Sequence, residues 1–372
     1  MGQSAERPLF ALQQKLGCSW GYLQKADSEA SQARRDLQAI LEERVGKFAS
    51  EDANLVVFGS LARKEWIESE SDLDWTLLID GQANSRHLRI AREIRSALEK
   101  EIREVGGESK PRFAEPGPTG TFGNLGFSHQ LLHLIGGQDD TNKNLTQRML
   151  LLLESVPIGP RSAYDRVARA VIDRYLEEEA QLLEAESDNR FKVPRFLLND
   201  IVRFWRTMAV DFASKQRDRG GKEWGLRNAK LRMSRKLIFS SGMLICFACN
   251  LDDNLQKKIS TESHDINLKY LANYIREYVN LTPLDILADS AEKLGLGSEA
   301  AATLLSAYDE FIGMMSDKDA RSQLKTMSAR ESRTNPIFGE VRRISKNFEA
   351  GLHSFFFKNQ RLKPLTEKYG VF

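Results

Sequence analysis

The chain has 372 residues, a hydrophobic content of 41%, a charged content of 28% and a formal net charge of +2 at pH 7. This length predicts two or three domains with sizeable cores, and no run of 18 apolar residues suggests a membrane span. The first residues lack the apolar segment of a signal peptide, and a total of three cysteines favours a reducing compartment. We therefore expect a cytoplasmic protein with no membrane partner.

The first 50 residues predict two helices. Apolar residues recur at helical spacing over residues 8–23, and the same pattern returns over residues 28–48. We expect residues 1–50 to form N-terminal helices that pack on the domain that follows, with the second helix just ahead of its first strand.

Residues 51–80 carry the clearest pattern in the chain. Residues 55–58 form a short apolar run that ends at Gly59-Ser60, which predicts a buried strand followed by a tight turn. The mostly polar residues 62–70 are long enough for about two helical turns. A second apolar run over residues 75–79 predicts the next strand, and Asp72 and Asp74 stand at its start.

These residue types suit a phosphate bound together with a metal ion. On a strand, Asp72 and Asp74 share a face, and a divalent cation between two carboxylates removes their mutual repulsion. Mg²⁺ accepts a few carboxylates and completes its octahedron with phosphates and waters. Gly59 allows a sharp turn and close approach of a ligand, Ser60 and the free N–H groups at a helix start favour an anion, and Arg63 adds positive charge.

Gly59-Ser60 followed by Asp72-x-Asp74 on the next strand resembles the signature of the DNA polymerase β-like nucleotidyltransferase superfamily. The Arg63-x-Glu65 form is similar to a variant found in the uridylyl- and adenylyltransferases of nitrogen regulation, although the second Gly of that variant is absent here. The resemblance covers about residues 50–155. It implies transfer of a nucleoside monophosphate from a nucleoside triphosphate (NTP) to an acceptor hydroxyl, with pyrophosphate release, on two Mg²⁺ or Mn²⁺ ions held by Asp72 and Asp74.

The family usually carries a third carboxylate on a later strand, as a metal ligand and as the base for the acceptor hydroxyl. Glu108 and Glu115 are the candidates, and we favour Glu115 because it ends a predicted strand. Without a third carboxylate the chain would be a non-catalytic nucleotide sensor or an antitoxin-like partner protein.

Two further helices complete the predicted domain, which spans residues 51–160. An amphipathic pattern over residues 86–105 predicts a helix closed by Gly106-Gly107, and residues 144–156 predict a buried helix that ends before a proline. Asp139-Asp140 is interpreted as a turn and cap for the latter. The fold class is therefore α+β, with a small mixed-sheet nucleotidyltransferase domain followed by an all-α domain.

Residues 161–372 read as helical throughout, and we expect this domain to cover the nucleotide cleft. Residues 190–236 hold fourteen Lys and Arg against four Asp and Glu. Arg227, Lys230 and Ser234 are spaced to share one helical face. The family contacts the triphosphate through Lys and Ser of a helical domain, so the resemblance implies this role for the three residues. A plain helix surface or a nucleic-acid patch stays open.

The acceptor is not readable from the sequence. The Arg63-x-Glu65 form points to a protein, the basic helical half suits tRNA or another RNA, and a second nucleotide is also compatible. Cys246-x-x-Cys249 lies in an apolar stretch without a second ligand pair, so we interpret it as helix core rather than as a zinc or redox site.

Overall fold

The computed structural model describes residues 6–68, 70–82, 84–105, 108–113, 122–183, 193–218, 223–259 and 264–370. The protein is mainly helical with a small four-stranded mixed sheet, which agrees with the predicted α+β class. It divides into two compact units. The sheet unit is Lys25–Arg174, and the helical unit combines Met1–Gln24 with Tyr175–Phe372. Among the helices in the described ranges, none is both long and apolar enough to cross a membrane.

The described elements of the first half, in chain order, are α1 (Pro8–Leu16), α2 (Gly21–Arg44), β1 (Ala53–Phe58), α3 (Gly59–Ala62), β2 (Trp75–Ile79), α4 (Ser85–Glu99), β3 (Ile102–Val105), β4 (Glu108–Pro111), β5 (Asn124–Phe127), α5 (Ser128–Leu132), α6 (Asn142–Leu153), β6 (Ser155–Ile158) and α7 (Ser162–Leu183).

The described elements of the second half are α8 (Arg195–Asp218), α9 (Trp224–Lys230), a π turn (Leu231–Arg235), α10 (Lys236–Leu251), α11 (Asp253–Ile259), α12 (His264–Val279), α13 (Pro283–Lys293), α14 (Ser298–Ser316), α15 (Lys318–Thr326), a 3₁₀ turn (Glu331–Arg333), α16 (Pro336–His353), a π turn (Ser354–Lys358), α17 (Leu362–Leu365) and a final π turn (Thr366–Gly370).

The main sheet has the strand order β5-β2-β1-β6. β1 is antiparallel to both β2 and β6, whereas β5 runs parallel to β2 with Asn124 opposite Thr76. β3 and β4 form a separate antiparallel pair. The mixed sheet predicted for this domain is therefore confirmed, and its parallel pair brings the first residue of β5 near the beginning of β2.

Helices cover both faces of the main sheet. On one face, Leu55 and Leu77 belong to a core cluster that includes Leu37 of α2 and Ile94 of α4. On the other face, side chains of β1, β2 and β5 line a small apolar cavity together with residues of α5 and α6, and the members used below are Phe58, Thr76 and Gly126. Burial on both faces explains why β1 and β2 read as continuous apolar runs.

The first N-terminal helix differs from the prediction. α1 belongs to the helical unit, where the Arg7 guanidinium pairs with Asp285 of α13 at 2.8 Å. The chain leaves α1 through Gly17, whose φ of +63° is the left-handed conformation that ends many helices. The second helix packs beside the sheet, through small and apolar residues such as Ala33.

Three other helices end earlier than their patterns predict. The helix predicted over residues 144–156 ends at Leu153, and Ser155–Ile158 forms β6. The helix predicted over residues 86–105 ends at Glu99, and Ile102–Val105 forms β3 instead. Gly106-Gly107 lies outside the described residues. The two turns predicted over residues 62–70 are absent from the described part of that range, because α3 ends at Ala62. Lys64 then adopts a φ of +61°, and the chain turns inward to bury Trp66 completely.

Asp140 has a structural role other than the predicted helix cap. Thr141 caps α6, whereas the Asp140 carboxylate pairs with the Arg148 guanidinium at 3.1 and 3.0 Å. Arg148 is completely buried and Asp140 nearly so. Since an unpaired buried charge is costly, each side chain requires the other.

α10 lies in the core of the helical unit. Most of its residues are buried, and Cys246 and Cys249 are both 0% exposed. The interpretation of the C-x-x-C sequence as helix core is confirmed.

Candidate functional site

The Gly-Ser turn lies directly against the carboxylate of Asp74. Gly59 has a φ of +67°, and a Cβ atom at this position would lie 3.1 Å from Asp74 Oδ2. The Phe58 N–H donates to the Asp74 carbonyl at 2.9 Å, which extends the β1–β2 pairing beyond Trp75. The two halves of the sequence motif therefore meet in space, at a glycine whose conformation and missing side chain the contact requires.

Asp72 and Asp74 lie on the accessible side of the segment that enters β2. Leu73 between them is 1% exposed, whereas Asp72 is exposed and Asp74 is half-buried. This alternation is that of an extended strand, so the burial pattern agrees with the predicted shared face. The segment precedes β2 and is not part of it, because β2 begins at Trp75.

Side chains of α2 hold the turn after β1 in place through hydrogen bonds and an ion pair. α3 is a single turn, and the Arg34 guanidinium donates to the carbonyls of Leu61 and Ala62, each at 2.7 Å. The Lys64 ammonium lies 3.2 Å from an oxygen of Asp27. These contacts fix the backbone that positions Ser60, which is half-buried.

Arg63 is buried beneath the turn between two carboxylates. Its Nε donates to Glu65 Oε2 at 3.0 Å, and its Nη1 contacts Glu154 Oε2. The side chains of Arg63, Glu65 and Glu154 are only 9%, 2% and 3% exposed. The guanidinium is therefore engaged by two buried carboxylates, and the predicted contact of Arg63 with phosphate has no support in this geometry.

Among the described residues, neither candidate for the third carboxylate lies on the main sheet. Glu115 lies outside them, and Glu108 begins β4 in the separate β3–β4 pair. The strand that runs parallel beside β2 is β5, and its first residue is Asn124. The first position of the strand beside β2 therefore carries an amide and not a carboxylate.

Gly123, which precedes β5, is held by hydrogen bonds at both its N–H and its carbonyl. The Gly123 N–H donates to the Trp75 carbonyl at 2.7 Å, and Arg95 donates to the Gly123 carbonyl at 2.6 Å. The Phe122 ring lies against that of Phe58, with centroids 5.3 Å apart. The start of β5 is thus fixed beside the residue that follows Asp74.

The oxygen atoms available at the beginning of β2 and β5 are of the kind that bind Mg²⁺. Asp72 and Asp74 supply carboxylate oxygens, and Asn124 supplies an amide oxygen, which are the ligand types that Mg²⁺ and Mn²⁺ prefer. Within the described residues, no group of three or more His, Cys, Asp or Glu side chains is placed to hold a metal ion. Asp72 and Asp74 stay the residues that the sequence predicts to hold a divalent cation.

The basic residues predicted to contact the triphosphate lie in the helical unit. Lys230 is exposed, and Arg227 Nε lies 3.5 Å from a carboxylate oxygen of Glu223. Ser234 is buried and accepts a hydrogen bond from the Tyr308 hydroxyl at 3.1 Å. The predicted role of Ser234 as a phosphate ligand is therefore corrected to a contact within the helical core.

A π turn explains why Ser234 does not share the exposed face of Lys230. The prediction assumed a regular α-helix, in which residues four apart share a face. Leu231–Arg235 is instead a π turn, whose hydrogen bonds join residues five apart. Arg235, and not Ser234, therefore lies on the same helical face as Lys230. Arg235 is also more exposed than Ser234.

Two residues near the turn and the aspartates, Asn124 and Glu154, are not predicted by the sequence pattern. Asn124 follows a Gly/Pro-rich stretch and begins a short segment with alternating polarity, so a strand was readable there, but its pairing partner was not. Glu154 lies within a predicted helix, over residues 144–156, and its sequence surroundings gave no signal that it pairs with an arginine 91 positions earlier.

A comparison of the chain with protein-family models, with curated proteins and with solved structures finds no match in any of the three. What the site can do therefore follows from its own residues.

Proposed function

We propose that the sheet unit is a metal-dependent nucleotidyltransferase domain, which moves a nucleoside monophosphate from an NTP to an acceptor hydroxyl. The observation that supports this proposal most is the contact between Gly59 and the Asp74 carboxylate. It combines a backbone turn that a ligand can approach closely with an adjacent carboxylate pair. A triphosphate bridged to a divalent cation requires both features side by side.

In the proposed reaction, an oxygen of the acceptor attacks the α-phosphorus. The bond between that phosphorus and the oxygen leading to the β-phosphorus breaks, pyrophosphate leaves, and the acceptor proton passes to water or to a nearby base. Asp72 and Asp74 would hold the Mg²⁺ or Mn²⁺ ions, two of which the resemblance implies, and bound cations would neutralise the triphosphate. Ser60 and the turn backbone would orient the phosphates, since positioning and charge neutralisation dominate such reactions.

For Arg227 and Lys230 of the helical unit, contact with the triphosphate stays a prediction from the sequence. The acceptor classes also stay as expected from the sequence: a protein, tRNA or another RNA, or a second nucleotide. We further expect a cytoplasmic location.

A nucleotide sensor without transfer activity is the second candidate. The observation that favours it is Asn124, because an amide at the start of β5 cannot accept the acceptor proton as a carboxylate can. Such a protein would bind NTP and metal through the same turn and aspartates, but would release no pyrophosphate.

The test uses purified full-length protein with Mg²⁺ or Mn²⁺ and each of the four α-³²P-labelled NTPs. Each mixture is incubated alone, with total RNA and with cell lysate, and products are separated by size and class. Asp72→Asn and Asp74→Asn are compared with Asp139→Asn, which removes an exposed carboxylate elsewhere in the sheet unit. We expect labelled product with wild type and Asp139→Asn only.

Other results have distinct meanings. Binding of NTP without label transfer in any mixture would replace the enzyme with the sensor. Transfer that persists in Asp72→Asn and Asp74→Asn would overturn the proposed site.

A further inference from the structure

The strand β5 begins with a polar residue and pairs with β2, the strand that the aspartate segment enters. Its sequence is Asn-Leu-Gly-Phe, and Asn124 lies opposite Thr76 in a parallel pairing. Hydrogen bonds of Gly123 to the neighbouring strand and to α4 hold this register at its first residue. Asn124 is exposed, as Asp72 is, so solvent reaches both residues.

The register places Asp74, Thr76 and Asn124 on one face of the sheet. Residues opposite each other in a ladder, and residues two apart on a strand, point to the same side. Gly126 confirms this side for β5, because a Cβ atom there would lie 2.8 Å from Thr76 Cγ2. Asp74 lies two residues before Thr76, in the extended segment that enters β2, and the hydrogen bond from the Phe58 N–H to its carbonyl continues the strand pairing there. The Asn124 and Asp74 side chains are therefore expected to leave the sheet in the same direction.

The distance between Asn124 and Asp74 is short enough for both side chains to bind one metal ion. With strands about 4.8 Å apart and a rise of about 3.3 Å per residue, the Cα atoms of Asn124 and Asp74 are about 8 Å apart. Two oxygens bound to one Mg²⁺ at about 2.1 Å are about 3 Å from each other. Side chains of this length, leaning toward each other across neighbouring strands, can span that difference.

We infer that Asn124 is the third side chain of the metal site and supplies a neutral oxygen where an acidic residue would supply a charged one. This inference rests on the proposed function and deepens it. A site with two carboxylates and an amide attracts a divalent cation less strongly than one with three carboxylates. The ion therefore binds weakly to the protein alone and tightly when the NTP adds its own phosphate oxygens.

The test measures Mn²⁺ binding without any reaction. Free Mn²⁺ is followed by electron paramagnetic resonance as the full-length protein is titrated, first alone and then with a non-hydrolysable NTP. Asn124→Asp adds one charge at the inferred ligand position. Asn84→Asp adds the same charge at the N-cap of α4, where Asp caps as well as Asn, and is the matched control.

We expect Asn124→Asp to bind Mn²⁺ at least about tenfold more tightly in the absence of nucleotide, since a unit charge at ligand distance is worth that much even in water. Asn84→Asp should match wild type. Asn124→Ala, which removes the oxygen and adds no charge, should bind more weakly than wild type with nucleotide present, and it supports the inference even if the Asp variant folds poorly.

Equal Mn²⁺ affinity in wild type, Asn124→Asp and Asn124→Ala would overturn the inference. If Asp72→Asn still abolishes Mn²⁺ binding in that case, the proposed site stands and only the third ligand is wrong. If Asp72→Asn and Asp74→Asn also bind Mn²⁺ normally, the proposed function fails as well.

Discussion

Replacing Gly59 by alanine separates the role of its backbone conformation from the role of its contact with Asp74. Gly59 and Gly46 both lie in the sheet unit and have nearly equal φ values of +67° and +69°. A Cβ atom at Gly46 meets nothing within 4 Å, whereas one at Gly59 meets Asp74 Oδ2 at 3.1 Å. Left-handed backbone costs a residue with a side chain roughly 1–2 kcal/mol, so both alanine variants should lose about that much free energy of unfolding.

Only Gly59→Ala should also change the site. Its methyl group forces the Asp74 carboxylate to shift by a few tenths of an ångström, because that contact is tighter than ordinary van der Waals distance. We expect Gly59→Ala to lose most Mn²⁺-dependent NTP binding and Gly46→Ala to keep it. Urea unfolding followed by tryptophan fluorescence gives the stability, and equilibrium dialysis gives the NTP affinity.

Two results would refute this reasoning. Equal loss of NTP affinity in the two variants would assign the effect to stability alone. Unchanged affinity in Gly59→Ala would show that the Asp74 carboxylate does not take part in binding.

Three further predictions concern the protein's stability. Arg63→Ala removes the guanidinium that pairs with the buried carboxylates of Glu65 and Glu154 and should cost about 3–5 kcal/mol in urea unfolding, whereas removal of a residue that served only as a phosphate ligand would cost almost nothing. Ser234→Ala removes the hydrogen bond that the buried Tyr308 hydroxyl donates to Ser234 and should cost about 0.5–1.5 kcal/mol without changing NTP affinity; a loss of affinity with unchanged stability would restore the original prediction. Burial raises the pKa of the Cys249 thiol, so above about pH 9 the unfolded chain loses this proton while the folded chain keeps it. Stability should therefore fall with rising pH by up to about 1.4 kcal/mol per pH unit from this group, and Cys249→Ala should flatten the fall in pH-dependent unfolding; an unchanged slope would contradict this origin.

Features that depend on neighbouring residues could be predicted from the sequence. The apolar runs of β1 and β2, the turn at Gly59 and the alternation around Leu73 are set by neighbouring residues, and the structure reproduces them. The apolar surroundings of Cys246 and Cys249 likewise predicted their burial in a helix.

The errors come from contacts between distant parts of the chain. Arg63 reads as a free positive charge until Glu154 is brought beside it. α1 has an ordinary amphipathic pattern, which does not reveal whether a sheet or α13 will cover it. The position of Asn124 depends on strand pairing that is set by the whole sheet.

An irregular helix is the reason for one further wrong prediction. The π turn at Leu231–Arg235 shifts every later residue of that helix by one position around the axis. Its sequence contains neither Gly nor Pro to announce the change, so the shared face predicted for Ser234 was wrong although the helix itself was right.

The measurement that tests the central claim most directly is equilibrium binding of the four NTPs to wild type and Asp74→Asn, each with Mn²⁺ and with the metal chelated. We expect wild type to bind at least one NTP only when Mn²⁺ is present, and Asp74→Asn to have lost that metal-dependent binding. Equal binding by the two proteins, or no metal-dependent binding of any NTP by wild type, would contradict a metal–nucleotide site at Gly59 and Asp74.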